Sequence, residues 1–232
     1  MSGLPEILFE DNHILVVNKR TGDIVQGDKT GDLALTDLLK AYLKEKYNKP
    51  GEVFLGLVHR IDRPVSGAVI LARTSKALTR LSLMVKNREI KKTYWAIVDK
   101  IPEPASGRLE NHLKKNEKQN KSYIVEAGTP ESKPAILDYK LIASSKSLHL
   151  LEIDLITGRH HQIRAQLSAK GWLIRGDLKY GAKRSNPDGS ICLHSRMLQF
   201  THPVSGENLK IVAGLPSLPE WTYFNPDQLT QK

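Results

Sequence analysis

Cysteine is all but missing. The 232 residues contain one, Cys192, which excludes an internal disulfide and suggests a reducing compartment. Its neighbours Ile191 and Leu193 make it a packed residue rather than a nucleophile. No apolar run approaches membrane-spanning length, and the N-terminus lacks a basic-then-apolar signal, so a cytoplasmic protein is expected. Internal repeats, low-complexity segments and an evident linker are also missing. The expectation is one domain over residues 1–232, with a core at about 7–215 and a C-terminal tail, 216–232. Acidic residues are in deficit: 25 Asp and Glu face 35 Lys and Arg, giving a net charge of +10 and a pI near 9.6. That balance favours a polyanionic partner, most simply nucleic acid.

What is present centres on Val58-His59-Arg60-Ile61-Asp62-Arg63-Pro64-Val65-Ser66-Gly67, between the apolar runs Val53–Val58 and Ala68–Ala72. Both runs are short and β-branched enough to read as buried strands. A carboxylate flanked by Arg60 and Arg63, on a Pro- and Gly-bearing loop between such strands, marks a place where chemistry tends to sit. Adjacent cations favour its charged form. A surface turn with a local ion pair is the competing reading.

In chain order, Ile7–Glu10 and His13–Asn18 read as a hairpin about Asp11-Asn12. Lys19-Arg20-Thr21-Gly22 then turns. Leu33–Tyr47 carries a helical stripe, with Asp32 as N-cap, and Lys76–Asn87 a second stripe opened by Thr74-Ser75. Lys91–Val98 reads as a strand with Lys92, Tyr94, Ala96 and Val98 on one face. Glu110–Lys121 is the most polar stretch and reads as a solvated loop or hairpin, the alternative being an arm along phosphates. Ala135–Leu141 and Ser147–Ile156 suggest an antiparallel hairpin. Arg159–Lys170 reads as a third helix closed by Gly171, with Ile163 and Leu167 on its buried face and Arg164 and His160 at the edge. An arginine so near a core requires a carboxylate, for which Asp62 is a sensible candidate. Final strands are expected at Ile191–Phe200 and Leu209–Val212, and the Pro-rich tail is expected to wrap the surface.

Several segments resemble, in order, motifs of pseudouridine synthases of the RluA class. His59–Gly67 resembles the family's HRLDxxTSG, Thr157–Arg164 its TGRxHQIR, Gly176–Gly181 its GDxxYG, and His202–Glu207 its HPxTGE. Lys92-Thr93-Tyr94 stands where the family places its active-site tyrosine. The matches span roughly residues 7–215. Departures are Arg20 for the proline of KPxG, Ile61 for Leu, and Val65 for Thr, the last removing a hydroxyl.

The resemblance implies an α+β fold, a mixed and largely antiparallel sheet with flanking helices and a central RNA-binding cleft. It implies isomerisation of uridine to pseudouridine in RNA, ribosomal and transfer RNA both being open, with no cofactor and no metal; a monomer is the default expectation. Asp62 is then the catalytic carboxylate, attacking C1′ or removing the C2′ proton. Arg164 keeps it ionised in a water-poor pocket, and Tyr94 stacks on the uracil and assists at C5. Substrate contacts are expected from Arg60 in the space left by a flipped base, Ile163 as an apolar wall, Arg159 on a phosphate, and His59. No separate N-terminal domain of the S4 kind fits ahead of residue 7, so the catalytic domain or RNA shape is expected to select the site.

Rival classes fit less well. A kinase-like HRD reading lacks the following Asn and a Gly-rich loop. Metal binding by His160, His161, His194 and His202 lacks ligand spacing, since the first two should point to different sides of a helix. A glycosidase requires paired carboxylates, and Asp177 has no evident pairing with Asp62. A non-catalytic RNA-binding module on the same scaffold is the remaining alternative.

Overall fold

The first strand pair forms where short apolar stretches lie on either side of Asp11. In the computed structural model, which describes residues 3–27 and 31–224, β1 (Glu6–Glu10) pairs with β2 (Ile14–Lys19). Asp11 Oδ1 accepts the His13 and Ile14 N–H groups at 2.8 and 2.7 Å, closing the turn. The chain divides into two compact units: Met1–Ile90 with Ser195–Gly214, and Lys91–His194 with Leu215–Lys232.

In the first unit β3 (Gly56–Leu57) and β4 (Ser66–Ala72) follow, and β10 (Leu193–Thr201) and β11 (Asn208–Val212) complete the sheet. The order is β1-β2-β4-β10, with β3 beside β4 and β11 beside β10. The strand expected over Val53–Val58 shrinks to two residues. One edge of β4 is taken by β2; the other is shared, β3 holding the Leu71–Ala72 end while β10 approaches at Gly67–Ala68. That approach explains Gly67, whose φ is +113° and whose added Cβ would lie 2.6 Å from Ser195 N.

Helix α1 (Leu35–Lys46) buries Leu35, Leu39 and Leu43. It starts later than its periodicity suggests, and Ala34 rather than Asp32 is its N-cap. Asp32 is diverted to an ion pair with Arg63 at 2.8 Å. Helix α2 (Ser75–Lys86) is capped as expected, the Thr74 hydroxyl accepting the Ala77 N–H. Its Ala77 and Leu81 join Ile14, Val16, Ile70, Leu198 and Phe200 in one cluster, against which Leu78, Met84 and Val85 pack. Every residue of β4 is buried, which is why it reads as an unbroken apolar run.

The second unit is an antiparallel sheet of β5 (Lys91–Val98), β9 (His149–Leu155), β8 (Lys133–Ser144), β6 (Ser106–Asn116) and β7 (Lys121–Val125), in that order. The polar stretch 110–121 is therefore the tip of the β6–β7 hairpin. Helix α3 is shorter than expected, Gln162–Ala169, because His161 takes a left-handed conformation (φ 53°) that helix cannot include. Its residues 162–167 are all buried, so Arg164 lies inside rather than on an edge. The tail is also more than a surface wrap: α4 (Pro219–Thr222) buries Trp221, and Phe224 follows it inside. The rest of the expected tail, residues 225–232, lies outside the described residues. The two units together have the α+β composition expected, with strands predominating over short helices.

Candidate active site

In the first unit the Asp62 loop is held from beneath. The Asp62 carbonyl accepts the Val65 N–H at 3.0 Å, closing a turn, and the Arg63 carbonyl accepts the Gly22 N–H at 2.9 Å. Below these sits Lys19, whose relative exposure is 0 %. Its ammonium donates to the carbonyls of Arg20 and Asp23, both at 2.8 Å, and of Arg63 at 3.2 Å. One buried cation thus ties the end of β2 and the 20–23 turn to the catalytic loop. Burial pushes the lysine down to about 7, against the smaller pull of Asp23 and Asp62.

Of the arginines flanking Asp62, Arg63 turns to Asp32 and Arg60 is exposed, with no hydrogen-bond or ion-pair partner among the described residues. Within this unit the charge of Lys19 is one that reaches Asp62. Asp62 itself is half-buried. His59 braces the loop: its Nε2 accepts the Ile70 N–H of β4 at 3.1 Å.

Lys19 in its free state titrates near 10.4. Between about 7 and that value the unfolded chain binds more protons than the folded one, so stability rises with pH through this window and the cost is fully present below it. Lys19→Met removes the titration. The difference in unfolding free energy between wild type and variant should shift in favour of wild type by roughly 2–4 kcal/mol between pH 7 and pH 9.5, read from urea midpoints; a constant difference would contradict it.

In the second unit the centre is a fully buried ion pair. Arg164 and Asp177 are 5 % and 1 % exposed, and the guanidinium forks onto the carboxylate, Nε to Oδ2 at 2.7 Å and Nη2 to Oδ1 at 2.8 Å. Arg164 Nη1 donates to His161 Nε2 at 3.1 Å. Because that nitrogen accepts, the His161 proton is on Nδ1, which lies 3.0 Å from the Tyr180 hydroxyl. Tyr180 in turn donates to the Ser122 carbonyl and accepts the Ser122 N–H. Burial, then the facing Arg164, push His161 down to about 2, so it stays neutral. His160 and His161 do not diverge as a helix would require. Their rings stack with centroids 3.8 Å apart, since both precede α3.

The Thr157-Gly158-Arg159 turn is fixed by Gln162. Its Oε1 accepts from the Thr157 hydroxyl at 2.7 Å and the Arg159 N–H at 3.0 Å, while Nε2 donates to the Ile136 carbonyl. Arg159 Nε donates to the Pro134 carbonyl. Ile163 is buried, and Tyr94, 6 % exposed, sits on β5 opposite Ile153. The structure thus brings His59, Arg60 and Asp62 together in one unit, and Tyr94, Arg159, Ile163 and Arg164 are carried by the other.

Sequence reasoning missed two members. Lys19 reads as a turn residue, although it closes a four-residue run, Ile14–Val17, that is wholly buried. Asp177 reads as part of a glycine-bounded turn, and nothing local marks it as the partner of Arg164. The histidines weighed as ligands have structural roles. His202 Nδ1 accepts the Val204 and Ser205 N–H groups, its Nε2 lies 3.0 Å from Asp11, and His194 packs edge-on to Trp221. Among the described residues no group of three metal-binding side chains converges, and no helix is long and apolar enough to cross a membrane.

A pinned carboxylate loop and a forked, buried arginine, in a chain of net charge +10, suit an enzyme that works on a polyanion. Comparison with known proteins gives the class. Residues 13–169 match the family described as RNA pseudouridylate synthase. Ribosomal large subunit pseudouridine synthase D of Zymomonas mobilis is 33% identical over 222 residues, covering 91% of this chain and 69% of that protein. Ribosomal large subunit pseudouridine synthase C of Buchnera aphidicola is 33% identical over 227 residues, covering 91% and 68%. Among solved structures, human RNA pseudouridylate synthase domain containing 4 superimposes with a TM-score of 0.76 at 26% identity, over 91% of this chain and 89% of that one. The chain belongs to the RNA pseudouridylate synthase family, whose reaction converts uridine in RNA to pseudouridine.

Proposed function

We propose that this synthase acts on large-subunit ribosomal RNA, with Asp62 as the group that works on the ribose. The observation that carries the residue roles is that one family match, residues 13–169, contains both the Asp62 loop and the Arg164 segment. The Zymomonas and Buchnera relatives, both named as ribosomal large subunit pseudouridine synthases, support ribosomal over transfer RNA.

The N1–C1′ bond breaks, the uracil turns, C5 joins C1′, and the C5 proton is exchanged for one at N1. The product is an isomer of the reactant, so the overall change needs no oxidant and no nucleotide. Asp62 acts at the sugar as an ionised carboxylate. Arg164 favours that ionised form, its plane set by the fork to Asp177. Tyr94 stacks on the uracil and assists at C5, and Ile163 supplies an apolar wall. Arg60, exposed, fills the space left by the extruded nucleotide, and Arg159 meets a phosphate. His59, whose ring is occupied by Ile70, contributes to substrate binding by fixing the loop. We further propose that the two units act together as one catalytic domain, in a cytoplasmic monomer without a nucleotide cofactor.

Pseudouridine maps of total RNA from cells with and without the gene test the substrate. One or a few positions in large-subunit ribosomal RNA should revert to uridine; losses confined to transfer RNA would move the substrate there, and unchanged maps would remove the proposal.

A further inference from the structure

Lys92 has a position that the chemistry above does not use. It lies on β5 two residues before Tyr94, so both side chains leave the same face of the strand. That face is apolar: Tyr94 lies opposite Ile153, and Ala96 opposite Leu151. The next side chains along the strand, Thr93 and Trp95, leave the other face, where they bond Asp154 and Glu152. No carboxylate meets Lys92, which has no hydrogen-bond or ion-pair partner among the described residues. A lysine that merely reached for water would stay hydrated and hold its proton as usual; burial instead lowers the pKa of Lys92.

Its ammonium ends beside the Thr157-Gly158-Arg159 turn. A Cβ at Gly158, an exposed residue, would be 3.4 Å from Lys92 Nζ and would meet nothing else within 4 Å. Next to Gly158 in the chain, Arg159 uses Nε on a carbonyl and has no carboxylate partner among the described residues. Two cations without counter-ions among the described residues flank an exposed glycine, in a turn held by Gln162.

We propose that Lys92 and Arg159 form a seat at Gly158 for a backbone phosphate of the RNA substrate adjoining the target nucleotide. The assignment rests on Tyr94 facing the target base. A phosphate one link away from that base suits a cation two residues from the ring. Lys92 is thereby a substrate-binding residue, which sets the register of the strand without acting at the ribose.

The test is the salt dependence of binding to a fluorescein-labelled oligouridylate, by anisotropy, for wild type, Lys92→Met, Lys92→Arg and Tyr94→Phe. Lys92→Met should weaken binding about tenfold near 0.1 M salt and reduce the log–log salt slope by about 0.7, the value for one phosphate contact on a single strand. Lys92→Arg and Tyr94→Phe should keep the wild-type slope. Lys92→Met should melt at or above the wild-type temperature, since it removes an uncompensated cation. Wild-type slope and affinity in folded Lys92→Met would overturn the seat, even if wild type forms pseudouridine. Loss of slope in Lys92→Met together with no pseudouridine from wild type would instead keep the seat and overturn the synthase assignment.

Discussion

Asp62→Asn is expected to slow single-turnover pseudouridine formation by at least about 10⁴-fold while leaving RNA affinity nearly unchanged. The substitution keeps the shape of the side chain and removes only its charge and basicity, which are what an attack on C1′ or removal of a C2′ proton requires. The backbone bonds that shape the loop, Val65 N–H to Asp62 carbonyl and Lys19 to Arg63 carbonyl, do not involve the carboxylate. The fold of the loop should therefore survive, and a rate within tenfold of wild type would take Asp62 out of the reaction. The variant has a second consequence. Asp62 supports the charged form of Lys19, so Lys19 should lose its proton at lower pH in Asp62→Asn than in wild type.

Asp177→Asn carries the largest expected effect on stability, a loss of about 3–5 kcal/mol. Arg164 cannot give up its charge, and with 5 % exposure it has little water to turn to. An amide in place of the carboxylate offers one acceptor where the fork uses two. The loss should appear as a fall in melting temperature of roughly 10 °C or more for a chain of this size. The disturbance should spread to His161 and Tyr180, which are bonded in series to the same guanidinium. Replacing both partners together, Arg164→Met with Asp177→Leu, should recover much of the stability because no buried charge is left alone. Activity should not return with it, since Arg164 is assigned to the reaction. Equal stability of Asp177→Asn and wild type would show that the pair contributes little to the fold.

The strands were the legible part of the fold. Lys91–Val98 is bounded in the structure as the sequence suggests, because Thr93–Val98 is buried on both faces and so reads as one continuous β-branched and aromatic run. The limits of local reading show where a non-local partner intervenes. Asp32 is a good N-cap by type, but Arg63 competes for it. Val53–Leu55 is apolar enough for a strand, but the edge of β4 it would need is shared with β10. Helix α3 breaks the amphipathic rule outright: Gln162, Arg164 and Gln166 are buried with their apolar neighbours. Gln166 alone reaches the carbonyls of Leu109 and Ala135 and the side chain of Asn111. A periodicity argument assigns such residues to the surface because it cannot see acceptors arriving from other strands.

The candidate site divides along the same line. Pro64 and Gly67 between apolar runs mark the loop of Asp62, but it is the resemblance of His59–Gly67 to the family motif that sets it apart from a surface turn. The need of Arg164 for an anion was visible. The identity of the anion in its own unit was not, since Asp177 is joined to Arg164 by a segment whose geometry depends on Gly171 (φ +74°) and Gly176 (φ +88°). Lys19 shows the same limit, for a buried lysine is recognised only once its carbonyl acceptors are in place.

The central claim is most directly tested by nucleoside mass spectrometry of an unmodified large-subunit ribosomal RNA transcript incubated with the purified protein in buffer alone. Pseudouridine should appear at one or a few positions with equal loss of uridine, and Asp62→Asn should produce none. Equal pseudouridine from both proteins, or none from wild type on ribosomal or transfer RNA, would contradict the account.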